Sequence, residues 1–146
     1  MGKIVVSACL LGYNCKYSGG NNRCEAVLRF TEGRKVVAVC PEQLGGLPTP
    51  RIPAEIVTGE VRNAAGESVD VAFREGARRA AALLEGEDVE MAILQPRSPS
   101  CGAREIYDGT FSRRLIPGQG VFAQLLMEKG IRVLEPCDLP EEKGNA

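Results

Sequence analysis

The chain has no histidine and no tryptophan among its 146 residues. The first absence excludes Ser–His–Asp triads, Cys–His dyads and every His-ligated metal site. Acid–base chemistry then falls to carboxylates, lysine, tyrosine or cysteine. Aromatic residues make up 5% of the chain, too few for a base-stacking RNA platform. Neither sign of charge dominates. The formal net charge is −1, so long-range attraction to nucleic acid or an anionic membrane is weak. Long apolar runs are missing too. The stretch at residues 4–6 falls far short of the ~20 residues that span a bilayer and of a secretory signal's apolar region. There is no C-x2-C pair of the kind zinc sites use, and no ferredoxin-type run of cysteines.

These absences point to a soluble, cytoplasmic protein with no membrane or nucleic-acid partner. Residues 1–146 are expected to form a single domain with a polar tail over 137–146. Six cysteines are present. In a reducing compartment they indicate metal or redox chemistry rather than a disulfide framework.

Short β-branched apolar runs predict strands over residues 3–7, 36–39, 90–94 and 131–134. Helices are predicted between them. The first runs from near Asn22, with Glu25 placed for a capping box, to Gly33. The second runs from Asp70 to Gly86, with Phe73, Ala77, Ala80, Ala81 and Leu84 on one face, and the third covers residues 118–129. Residues 41–53 hold four prolines and two adjacent glycines and are expected to be an irregular loop or lid. Residues 55–69 suggest a small antiparallel flap. Alternating strands and helices imply a parallel sheet with right-handed crossovers. The expected fold is a three-layer α/β/α sandwich with a mainly parallel, Rossmann-like sheet of four to five strands.

Cys9, Cys40 and Cys101 each follow a predicted strand, so a parallel sheet would bring them to the edge where such folds build sites. Three bare thiolates ~4 Å apart would repel by about 4 kcal/mol per pair at an effective dielectric of about 20. A cation or cluster removes that conflict. Thiolate softness restricts the metal to zinc, copper(I) or iron–sulfur. The cysteines lie 31 and 61 residues apart, so the tertiary fold, not a local loop, must assemble the site.

Three strings carry a family resemblance: Val6-Ser7-Ala8-Cys9-Leu10-Leu11-Gly12, Cys40-Pro41-Glu42-Gln43-Leu44-Gly45-Gly46-Leu47-Pro48-Thr49-Pro50-Arg51 and Ser98-Pro99-Ser100-Cys101-Gly102. With Tyr107-Asp108-Gly109-Thr110, the chain from Lys3 to Leu134 resembles the bacterial family that includes the 2-thiouracil desulfurases. The resemblance implies a [4Fe-4S] cluster on Cys9, Cys40 and Cys101 with one open iron, and catalytic roles for Glu42 and Ser98. It also implies removal of sulfur from thiolated pyrimidines, either bases or nucleotides, with cluster-assembly machinery as a partner. A lysine expected before the serines is replaced by Gln95.

The chemistry is coherent, since a carboxylate two residues from a cluster ligand can activate water against a thiocarbonyl carbon. Ser98 is either a turn hydroxyl ahead of Pro99 or a group that binds developing charge or relays a proton. Ser100 and Asp108 are expected to contact substrate. Cys15 is a spare thiol near the site loop, while Cys24 and Cys137 are expected to pack or to be incidental. Gly118-Gln119-Gly120 at a helix start suggests helix entry or a phosphate cradle. One alternative is a zinc hydrolase whose metal is held by three cysteines and a water. The other is a non-enzymatic iron–sulfur carrier or electron-transfer protein. In each case the protein would be a monomer or homodimer.

Overall fold

The computed structural model describes residues 2–140. Four strands form the central sheet: β1 (Lys3–Ser7), β2 (Val36–Val39), β5 (Val89–Ile93) and β8 (Val133–Leu134), in the order β2-β1-β5-β8 and all parallel. β1 is central, and its Ile4, Val5 and Val6 are fully buried. A continuous apolar run suits a strand covered on both faces.

Alternation along the strands splits the core in two. Val5, Ala92 and Leu94 pack with Ala77, Ala80 and Ala81 of α3 (Asp70–Ala82) and with Phe122, Ala123 and Leu126 of α4 (Val121–Glu128). Ile4, Val6, Met91 and Ile93 face the other way, onto Val27 of α1 (Glu25–Thr31) and Leu10 of a 3-10 turn at Ala8–Leu11. The result is three layers around a mainly parallel sheet of four strands.

The chain leaves β1 toward the β2 edge and leaves β5 toward the β8 edge. The carboxyl ends of β1 and β5 therefore flank a topological switch point, where open α/β sheets hold ligands. Two insertions reach over this edge. The first, between β2 and α3, carries the short helix α2 (Pro41–Leu44) and the hairpin β3 (Ala54–Val57)–β4 (Glu60–Asn63). The second, between β5 and α4, carries the hairpin β6 (Glu105–Tyr107)–β7 (Leu115–Pro117). Glu55 Oε1 ties them together by accepting the backbone N–H groups of Gly109 and Phe111 at 3.0 and 3.1 Å.

Some local expectations change. Residues 41–44 are helical, not irregular, because Pro41 occupies the first helical position, where a missing N–H costs nothing. Helix α1 starts at Glu25, and Cys24 gives no side-chain cap. Asn22 and Glu25 form no capping box there, and the Asn22 amide is used elsewhere. Helix α4 begins at Val121 rather than at residue 118. Its Gly120 lies against the Ser100–Cys101 backbone, where a Cβ would stand 2.5 Å from the Ser100 carbonyl carbon. Close approach, not phosphate binding, explains that glycine. Pro136–Asp138 is an ordered 3-10 turn with reciprocal capping between Glu135 and Asp138. Residues 141–146 of the expected tail lie outside the described residues.

Helices α2 and α3 meet backbone to backbone. A Cβ on Gly76 would sit 1.8 Å from the Pro41 carbonyl oxygen, and one on Gly45 would sit 2.0 Å from that of Ala72. This contact fixes α2, and with it Glu42, against the rigid layer. Gly76→Ala is expected to cost about 1–3 kcal/mol by overpacking, read as a lower denaturation midpoint. An unchanged midpoint would show that the contact gives way easily.

Candidate metal centre and active site

Cys9 lies in the 3-10 turn directly after β1. Cys40 follows β2 and precedes α2, and Cys101 lies in the loop after β5. All three line one cavity of about 790 Å³, together with Glu42, Ser98 and Ser100. That volume suits a cofactor and a small ligand together. The six cysteines are free.

Polar donors are aimed at the sulfurs. The Asn22 amide donates to Cys9 Sγ at 3.4 Å. Ser100 Oγ lies 3.7 Å from Cys101 Sγ, but its one proton goes to the nearer Glu42 carboxylate at 2.9 Å. The Ser7 hydroxyl also hydrogen-bonds Cys101 and receives the Gln95 backbone N–H at 2.9 Å. Such bonds stabilise metal-bound thiolates and tune a cluster's potential.

Cys15 is the residue that sequence reasoning undervalued. Only 4% exposed, it hydrogen-bonds both Cys9 and Cys40. Its spacing from Cys9 matches no metal motif, so only folding reveals it. Hydrogen bonding with Cys15 is the largest cause that lowers the Cys9 and Cys40 thiols to about 7, while its own is raised, chiefly by its interaction with Cys40. The Cys40 thiol also reaches the Cys15 carbonyl at 3.7 Å. Burial pushes Cys101 up to about 12. The lowered pair stabilises the fold above the ordinary thiol value of 9.0, and this contribution is lost as pH falls through about 7. Cys101 acts oppositely, since its neutral form is favoured up to about 12. Before iron is loaded, alkylation of Cys9 and Cys40 is therefore expected to rise through about pH 7 with Cys101 unreactive. Equal rates at all three, read by peptide mass spectrometry, would refute this ordering.

Glu42 is clamped on both oxygens. Arg51 Nε donates to Oε1 at 2.9 Å, and Ser100 Oγ donates to Oε2 at 2.9 Å. Arg51 also donates to the Cys15 and Pro48 carbonyls and to Thr49 Oγ1. The Arg51 and Glu42 side chains are 7% and 14% exposed, a nearly buried ion pair.

Asp108 does not line the cavity. Its carboxylate accepts from the Thr110 N–H and hydroxyl, and the Thr110 bonds hold its pKa low. The expected substrate contact is thus spent on its own turn. Cys24 packs at the edge of the core, and Cys137 is exposed. Arg97, Phe111 and Arg113 have left-handed backbones, with φ of 65°, 58° and 64°, and all three line the cavity. Strain held at one site is a mark of functional demand.

The residues fit a cluster better than a single ion. A lone ion draws its ligands to one point, yet among the described residues no three His, Cys, Asp or Glu side chains are placed to hold one. A cubane takes one thiolate per iron and keeps its ligands apart, which suits three all-sulfur donors around a large cavity.

Fold and site together define an α/β protein with a thiolate metal centre and an adjacent carboxylate at the carboxyl edge of its sheet. Residues 4–137 match the 2-thiouracil desulfurase family model, and the chain belongs to that family. It is 40% identical to the protein YbbK of Bacillus subtilis (strain 168), over 93% of this chain and 97% of that one. Among solved structures it is similar to the [4Fe-4S]-dependent thiouracil desulfidase TudS. That match has a TM-score of 0.88 and 39% identity, covering 96% of this chain and 94% of the other.

Proposed function

We propose that this protein is a [4Fe-4S]-dependent desulfurase that converts the thiocarbonyl of a thiolated pyrimidine into a carbonyl with water. The observation that carries this reading is the convergence of Cys9, Cys40, Cys101 and Glu42 on one cavity. Cys9, Cys40 and Cys101 would hold the cluster. When bound, the cluster supplies an iron without a protein ligand, a soft Lewis acid for the thiocarbonyl sulfur and an acceptor for it as it leaves.

The chain's own residues do the rest. Glu42 takes the proton of the attacking water. Arg51 pairs with the Glu42 carboxylate and holds it in place. Tyr107 and Phe111 offer apolar surface to a pyrimidine ring, while Lys16, Arg97 and Arg113 place positive charge around it. That wall accommodates a base and favours a substrate carrying a phosphate, so both 2- and 4-thiouracil and their nucleotides are included. The reaction needs no net electrons.

The six free thiols support a reducing, cytoplasmic setting and loading by cluster-assembly machinery. Among the described residues no helix is long and apolar enough to cross a membrane. The test is incubation of the iron-loaded protein with 2-thiouracil and 4-thiouracil under anaerobic conditions. Loss of thiocarbonyl absorbance with equimolar uracil is expected, whereas a brown, four-iron protein that leaves both compounds intact would end this reading.

A further inference from the structure

Glu42, Ser100 and Ser98 form one hydrogen-bonded chain whose direction is set by chemistry. Ser100 Oγ lies 2.9 Å from Glu42 Oε2. A carboxylate can only accept, so the Ser100 hydroxyl is the donor. Ser100 Oγ also lies 2.9 Å from Ser98 Oγ. With its single proton committed to Glu42, Ser100 must accept there, and Ser98 donates. Ser98 Oγ in turn receives the backbone N–H groups of Ser100 and Cys101 at 3.1 and 3.0 Å. Those two bonds alone would be an ordinary serine turn. A turn does not require the next serine to reach a carboxylate 58 residues away in sequence. Ser100 is 2% exposed, so bulk water does not compete for its hydroxyl.

We infer that Ser100 is a proton relay, through which the proton of the attacking water reaches Glu42 by way of Ser98. The inference rests on the desulfurase reading and assigns the proton's route within it. Both Glu42 oxygens are already engaged, by Arg51 and by Ser100. Ser98, at the other end of the chain, lines the cavity.

In the step, a water O–H bond breaks and its proton passes to Ser98 Oγ. The Ser98 proton moves to Ser100 Oγ, and the Ser100 proton moves to Glu42 Oε2. The water's electron pair forms the new bond to the thiocarbonyl carbon as the C=S π pair moves to sulfur. Three O–H bonds break and three form, nothing is oxidised or reduced, and Glu42 becomes the acid. The two backbone N–H groups steady the charge that Ser98 carries in transit. As the C–S bond then breaks, sulfur leaves with the bonding pair and takes the proton back along the same chain. The carbon-bound hydroxyl gives its remaining proton to solvent as it becomes the carbonyl, and the Arg51 ion pair is restored. Ser98 is the catalytic residue of the chain, while Ser100 and Arg51 act through their neighbours.

Ser100→Ala in the iron-loaded protein is the test, since it removes one oxygen from a tightly packed position without adding bulk. The expected result is a kcat lower by at least ~10-fold, KM within about twofold of wild type, and an unchanged visible spectrum and iron count. The proton inventory, the rate against deuterium fraction, is expected to turn from curved to linear as the multi-proton transfer is lost. A second readout needs no turnover: the Glu42 carboxylate infrared band, identified as the band missing in Glu42→Gln, should shift on loss of the Ser100 bond. A kcat within twofold of wild type, an unaltered proton inventory, or an unmoved carboxylate band would each overturn the relay. If the wild-type protein turns over no thiopyrimidine, the desulfurase reading fails while the infrared band still decides the Ser100–Glu42 link.

Discussion

Glu42→Gln is expected to lower desulfuration by ~10²–10⁴-fold while the iron count stays constant. That loss corresponds to about 2.7–5.4 kcal/mol of barrier. The substitution keeps the shape of the side chain and an oxygen able to accept from Arg51 or Ser100. It removes the basic carboxylate, so the water's proton has no terminus.

A second effect must be separated from the first. Arg51 is 7% exposed, and breaking a buried pair from one side can cost about 3–5 kcal/mol. Here the cost should be smaller, because Arg51 retains the Cys15 and Pro48 carbonyls and the Thr49 hydroxyl. The double variant Glu42→Gln, Arg51→Met separates the two. It should recover most of any lost thermal stability and none of the activity. Recovery of turnover in the double variant would mean that Glu42 served only to neutralise Arg51.

Serine in place of Cys9, Cys40 or Cys101 is expected to abolish the brown colour and take bound iron from about four per chain to near zero. Cys15→Ser should keep most of both. The contrast matters because the structure puts four thiols on the cavity, not three. Cys15 lies beside Cys9 and Cys40, and its carbonyl accepts from the Cys40 thiol and from Arg51, the part of a neighbour rather than of a ligand. Anaerobic reconstitution followed by iron analysis and a visible spectrum decides it. Equal loss of iron in all four variants would make Cys15 a ligand and require a different account of the open coordination position. A colourless protein holding one zinc would favour the zinc hydrolase instead.

The strands were legible because β1, β2 and β5 are dense apolar runs, and their order made the three cysteines converge. The family strings then supplied the cluster and Glu42. What stayed hidden has a common cause: it depends on contacts between distant segments. Asn22 reads as a helix cap by local chemistry, yet its amide turns to Cys9 because α1 starts three residues later. Residues 41–44 read as a loop because proline and glycine dominate the surrounding stretch, although one proline at the first helical position is helix-compatible. Asp108 is drawn into its own turn by Thr110. The bond from Ser100 to Glu42 joins the loop after β5 to helix α2, two segments that only the sheet brings together.

The three proposed cluster ligands follow three different strands, and the last of them, Cys101, lies beyond two-thirds of the chain. No fragment ending before β5 contains the whole donor set. By that proposed assignment the donor set is complete only once β1, β2 and β5 have paired, so metal capture is expected to follow folding. The protein must be stable enough to stand alone while it waits, which the two-sided apolar core around β1 provides. Loading then adds stability by mass action to a structure already formed. Iron scarcity should accordingly yield folded, inactive protein that can be revived, not protein lost to degradation.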